Sequence, residues 1–172
     1  MELYAERGFD QTTVAEIAER AGLTERTFYR HFEDKREVLF AGAGELEELI
    51  VNAVVQAPGG LAPIEAAAAG LQAAAGAIEQ GGELPRQRQA VIAASSELQE
   101  RELIKLASLG AALAGALRQR GVDEPAASLA AEASIAVFRV AFERWIADVD
   151  GQDLQPLIRD SLDELRAVTA RR

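Results

Sequence analysis

The sequence predicts an all-α protein. Ala, Leu, Glu, Arg and Gln are abundant, aromatic residues make up only 5%, and no stretch alternates apolar and polar residues over a convincing length. About half of the 172 residues are apolar (49%), enough for one compact helical body plus a small N-terminal module.

Each helix has its own start and stop signals. Glu2 to Arg7 reads as the tail of a helix stopped by Gly8, a residue that takes the left-handed conformation readily. Thr13 and Glu16 have the spacing of a capping box, and Val14, Ile17 and Ala18 supply an apolar stripe up to Ala21-Gly22. Thr24 caps a short third helix to about His31. Asp34, with Glu37 three residues on, caps a fourth predicted to run to about Val55, its inner face marked by Leu39, Leu46, Leu49, Ile50 and Ala53.

Pro58-Gly59-Gly60 breaks the chain before a helix at Pro63 to Glu79, and Gly81-Gly82 precedes a short one at about Pro85 to Ala94. A long helix follows near Glu97 to Arg120, with Leu103, Leu106, Ala107, Gly110, Leu113 and Leu117 on one face and Gly121 ending it. Another runs from Asp123 to about Val149, broken by Asp150-Gly151. Asp153 caps the last, with Ile158, Leu162 and Leu165 inward.

Composition narrows the function classes. The chain has no cysteine, which excludes a disulfide frame, thiolate zinc sites and cysteine nucleophiles. With His31 as the sole histidine, histidine metal sites and Ser-His-Asp triads have little to draw on. No cofactor or metal is expected, and no enzymatic activity. Glu45, Glu47 and Glu48 read as a solvated helix face rather than acid–base machinery. No charged-then-apolar leader and no long uncharged apolar run is present, so a cytoplasmic protein is expected. The net charge of −10 argues against a nonspecific nucleic-acid binder, although a sequence-specific one needs only a local contact face.

Three short helices joined by tight turns, with Gly22 in the middle turn, form a helix-turn-helix. Ile17, Ala18, Leu23, Phe28 and Phe32 supply its internal contacts, leaving Thr24, Glu25, Arg26, Thr27, Tyr29, Arg30 and His31 to be divided between a DNA groove and solvent. Residues 24 to 36 carry four positive charges against three negative, and residues 1 to 36 are net −2. Affinity would then lean on neutral donors and helix N-termini.

These residues resemble the tetracycline-repressor (TetR) family. Tyr4-Ala5-Glu6-Arg7-Gly8-Phe9-Asp10-Gln11-Thr12-Thr13-Val14 is similar to that family's helix-one exit, and Ile17 to Thr24 to its second helix and turn. Thr27-Phe28-Tyr29-Arg30-His31-Phe32 and Asp34-Lys35-Arg36-Glu37 are similar to its recognition helix and the start of its fourth. The resemblance implies a helix-turn-helix domain at 1–41 and a ligand-binding and dimerisation domain at 42–172. It also implies a homodimer on a near-palindromic operator, with repression relieved by ligand. Thr13, Thr27, Tyr29, His31 and Lys35 match phosphate-contacting positions. Thr24, Glu25 and Arg26 sit at the groove-facing start of the third helix, where Arg26 suits guanine and Glu25 suits cytosine. Relative to the family, a basic arm and the first half of helix one are missing before Met1, so a truncated or differently started chain with weakened DNA affinity is expected.

The body is expected to hold the effector and the dimer interface. Ala62 to Ala77 contains nine alanines plus Gly70 and Gly76, which either allow close helix packing or leave room for a ligand. On the second reading an elongated apolar cavity is lined by Gly70, Ala73, Leu103, Leu106, Leu113, Phe138 and Phe142. Arg139 meets an anionic ligand group or pairs with Glu143 one turn on. The segments Glu97–Glu102, Arg118–Val122 and Phe138–Trp145 resemble a subgroup whose sensing domains are associated with acyl-CoA-like ligands, so the expected effector is a small hydrophobic or acyl-CoA-like molecule. The helices at 123–149 and 153–170 are expected to form the homodimer interface. A helical small-molecule binding protein with a weak or non-functional DNA-binding head is the alternative.

Overall fold

The computed structural model describes residues 1–148 and 151–170. Among these, nine α-helices and one 3-10 turn carry the fold and no strand forms, so the all-α expectation holds. The chain divides into two compact units, one of Met1–Ala43 with Glu83–Ile104, the other of Gly44–Gly82 with Lys105–Arg172.

The first unit contains α1 (Glu2–Arg7), α2 (Val14–Arg20), α3 (Glu25–His31), a 3-10 turn (Lys35–Val38), α6 (Leu84–Ala93) and the beginning of α7 (Ser96–Gln119). Tyr4, Phe9, Leu39, Phe40, Val91, Ile92 and Leu98 form its core. The head that the sequence delimits at 1–41 thus shares its core with α6 and the start of α7. Polar contacts reinforce this junction. Arg101 pairs with Glu37 at 2.6 Å and Arg36 with Glu97 at 3.0 Å. Arg88 donates to the Leu39 carbonyl at 2.6 Å, pairs with Glu102 at 3.3 Å and lies over the Phe40 ring. Burial pulls the Arg88 pKa below its ordinary value, and Glu102 opposes that shift.

The second unit is built from α4 (Ala43–Gln56), α5 (Pro63–Glu79), the remainder of α7, α8 (Ala126–Ala147) and α9 (Leu154–Thr169). Here α5 packs against both α8 and α9, which also pack on each other. One core cluster joins Ile50, Val54, Ala66, Ala67, Leu113, Leu117 and Ala131. A second joins Leu71, Ala75, Val137, Trp145, Leu157 and Ile158. Each fully buried Leu or Ile contributes about 1.5–3 kcal/mol relative to exposure. Arg120, just past the end of α7, donates to the carbonyls of Val54, Val55, Ala57 and Pro58 at 2.6 to 3.2 Å. A helix end leaves its last carbonyls without intrahelical partners, and this guanidinium supplies them for α4.

Several boundaries and faces differ from the sequence reading. The single fourth helix is split, because Gly42 takes a φ of +84°, which no α-helical residue adopts, and α4 begins only at Ala43. Asp34 accepts from the Arg36 N–H two residues on and so starts a 3-10 turn instead. Leu39 therefore belongs to the head core. The buried stripe of α4 is Ile50 and Val54, with Leu46 partly covered and Leu49 outside. On α7 the inward face is Gly110, Leu113 and Leu117, whereas Leu103 and Ala107 are exposed. Leu23 is also exposed; its turn closes through the backbone, Leu23 N–H to the Ala18 carbonyl at 2.8 Å. Pro125 holds the N-cap position of α8, so that helix begins at Ala126 rather than Asp123. The predicted stop of this helix at Val149-Asp150 lies outside the described residues. Asp153 stands at the α9 N-cap without a side-chain hydrogen bond.

Candidate nucleic-acid interface

Side-chain caps fix the starts of α2 and α3. The Thr13 hydroxyl accepts from the Glu16 N–H while the Glu16 carboxylate accepts from the Thr13 N–H at 2.8 Å, a complete capping box. The Thr13 hydroxyl also donates to Glu16, and the Thr13 backbone N–H, first among the causes, holds the Glu16 carboxyl below its ordinary pKa. Thr24 accepts from the Thr27 N–H at 3.2 Å, and the two threonine hydroxyls lie 3.0 Å apart. Ala18 and Phe28 are buried between α2 and α3, with Ile17 and Phe32 partly covered. That burial leaves Thr24, Glu25, Arg26, Tyr29, Arg30 and His31 exposed on α3 and Thr27 half-buried. Tyr29, 56% exposed, keeps one ring edge on Phe28 at 5.5 Å.

The charges of the head are mostly spent internally. Arg7 pairs with Glu16 at 2.6 Å, Arg20 with Glu2 at 3.0 Å and Glu6 at 3.5 Å, and Arg36 with Asp34 and Glu97. Lys35 points its ammonium inward, to the carbonyls of Phe9 at 2.8 Å, Thr12 at 3.0 Å and Asp10 at 3.4 Å. Among the described residues, Arg26 and Arg30 are the two of the six Lys and Arg residues in 1–36 without an acidic or carbonyl partner, and Arg30 lies 3.4 Å from the His31 ring nitrogen. The two arginines stand one helical turn apart on the same face of α3. The sequence leaves Arg30 open between groove and solvent; its spacing of four from Arg26 is the signal that places it on the same face.

Three comparisons bear on this arrangement. Residues 1–41 match the family model described as bacterial regulatory proteins, tetR family, and residues 61–170 match the MftR C-terminal domain. Together they span most of the chain. This chain belongs to the TetR family. The regulator TcmR of Streptomyces glaucescens is 33% identical over 81 residues, which are 47% of this chain and 36% of that protein. Thermus thermophilus FadR, a TetR-family repressor solved in complex with lauroyl-CoA, shares the fold with a TM-score of 0.62 and 22% identity over 100% of this chain and 92% of that one. A putative TetR-family regulator from Mesorhizobium loti shares it with a TM-score of 0.59 and 20% identity over 97% and 91%.

The eight expected effector residues differ in their burial. Gly70 is a packing site, since a Cβ there would stand 2.8 Å from Val54 Cγ2 and 3.0 Å from the Ile50 carbonyl oxygen. Leu113 is fully buried in the core, and Leu103 is 57% exposed. Arg139 is exposed and, among the described residues, has no ion pair with Glu143. Ala73, Leu106, Phe138 and Phe142 are half-buried, with the two phenylalanine rings stacked at 5.6 Å against the Leu71 cluster. A separate open concavity of about 290 Å³ lies between Val55, Gly60, Leu61, Pro63 and Arg120. Among the described residues, no group of three or more His, Cys, Asp or Glu could hold a metal, and no helix is long and apolar enough to cross a membrane.

Proposed function

We propose that this chain is a ligand-responsive transcriptional regulator of the bacterial cytoplasm, not an enzyme, that binds a near-palindromic operator as a homodimer. The observation that carries the DNA reading is the pair Arg26 and Arg30, the two cations of the head without an acidic or carbonyl partner among the described residues, on an exposed α3 whose remaining groove side is Thr24, Glu25, Tyr29 and His31. In this reading Arg26 and Glu25 contact bases, while Thr13, Thr27, Tyr29, His31 and Arg30 contact the backbone. The dimer forms through the outer faces of α8 and α9, where Leu129, Val140 and Val168 are exposed. The effector is a hydrophobic molecule of the acyl-CoA type, as FadR's bound lauroyl-CoA suggests, and its chain inserts beside Phe138 and Phe142.

The test is fluorescence anisotropy of the upstream intergenic duplex, with and without lauroyl-CoA. Arg26→Ala is expected to weaken binding by about 1–3 kcal/mol and to relax preference at one operator position. Uniform weakening across all operator variants would move Arg26 from base reading to the backbone. The second reading, a small-molecule binder with an idle head, is favoured by the net −2 charge of residues 1–36 and the internal pairing of four of the six cations. Lauroyl-CoA binding without any DNA binding would select it.

A further inference from the structure

Lys35 is bound at both ends. Its ammonium reaches three carbonyls of the α1–α2 turn, those of Phe9, Asp10 and Thr12, and lies 4.3 Å from the centre of the Phe9 ring. Its own carbonyl accepts from the Tyr4 hydroxyl of α1 at 2.6 Å, and burial raises the pKa of that hydroxyl. An ammonium has three donors and no acceptor, so these carbonyls use its full capacity. Three carbonyl oxygens converging on one point repel each other unless a cation sits among them. The turn is also held by Thr12, fully buried, whose hydroxyl donates to the Gly8 carbonyl at 2.8 Å with the Leu3 carbonyl 3.3 Å away. The turn ends at Thr13, the N-cap of α2, and α2 is the helix on which α3 packs.

We infer that Lys35 is a positioning residue that staples the α1–α2 turn and thereby sets the seat of α2 beneath α3, and that it is not a phosphate ligand. Lys35 then places no positive charge on DNA, in contrast to the phosphate contact that the resemblance implies for its position. Its DNA arm rests on the regulator reading; its stability arm does not.

Two variants of the full chain separate the roles. Lys35→Met keeps the apolar stem over Phe9 and removes the ammonium, while Lys35→Arg keeps the charge but offers a planar fork in place of three convergent donors. Both are expected to lower the melting temperature by about 2–8 °C. Both should leave the slope of log affinity against log salt, measured on the upstream duplex, unchanged. A phosphate ligand behaves in the opposite way: Lys35→Met would flatten the slope by about 0.9 per protomer, about 1.8 for a dimer on its operator, and Lys35→Arg would retain it. A slope change of that size, or an unaltered melting temperature in Lys35→Met, overturns the inference. If Lys35→Met does not fold, the melt of Lys35→Arg decides alone, because its slope is unchanged on either reading: a melting temperature equal to the parent's overturns the inference. Absence of DNA binding by the unmodified chain would count against the regulator reading alone, and the melts would still decide whether Lys35 is a staple.

Discussion

Asp34 does its work through charge as well as through the backbone. Its carboxylate accepts from the Arg36 side chain and N–H, and the Arg36 hydrogen bond, the largest cause, holds its pKa below the ordinary 3.8. A depressed carboxyl pKa adds stability that is complete above the unfolded value and disappears as pH falls through the folded one. The 3-10 turn should therefore weaken only as pH falls below the ordinary carboxylate range, and Asp34→Asn should flatten the acid limb of a melting-temperature profile there. An identical acid limb in both proteins would mean that the pair is too well screened by water to matter. At this scale the local chemistry was legible. Thr13 with Glu16 and Thr24 at a helix start are spacings that the chain carries within four residues. The target of Lys35 was not, because the three carbonyls it binds lie 23 to 26 residues earlier and meet it only after folding.

Gly70 decides how α4 and α5 cross. It is fully covered, and any side chain there would collide with Val54 and with the Ile50 backbone, which cannot move as a flexible side-chain tip can. Gly70→Ala is expected to destabilise the body by about 1–3 kcal/mol, an overpacking cost that exceeds the usual gain from alanine in a helix. A calorimetric melt at or above the parent temperature would show that the helices separate easily, and would reopen the site to a ligand. The sequence left packing and cavity as equal readings for this alanine-rich helix, because small residues serve both and only the facing surface distinguishes them. The split of the fourth helix was hidden for a related reason. Gly42 lies inside a run of good helical periodicity, and it takes a positive φ just after Leu39 and Phe40, which belong to the head core. Where a helix had Pro and Gly at its borders, as at Pro63 to Glu79, the predicted and observed limits coincide.

For the whole molecule, the proposed dimer provides the sharpest test. Leu162, an inward residue of α9, is buried in the body's own core, so a charge there would damage the fold and report nothing about association. Val140 is 48% exposed on the outer face of α8 and is the better probe. Val140→Glu is expected to convert a dimer to a monomer by light scattering at micromolar concentration, with its helical circular dichroism retained. A variant that remains dimeric would move the interface away from this face. The distribution of charge has a consequence for how such a regulator finds its target. A chain of net charge −10 whose head exposes two arginines without an acidic partner among the described residues is repelled by bulk DNA at long range and gains little from indiscriminate phosphate contact. A genome presents about 10⁶–10⁹ decoy sites, and strongly basic regulators spend most of their time on them. This protein would instead remain largely in free solution. Operator occupancy would then follow the concentration of unliganded protein closely, with few copies needed and a prompt response when that concentration falls.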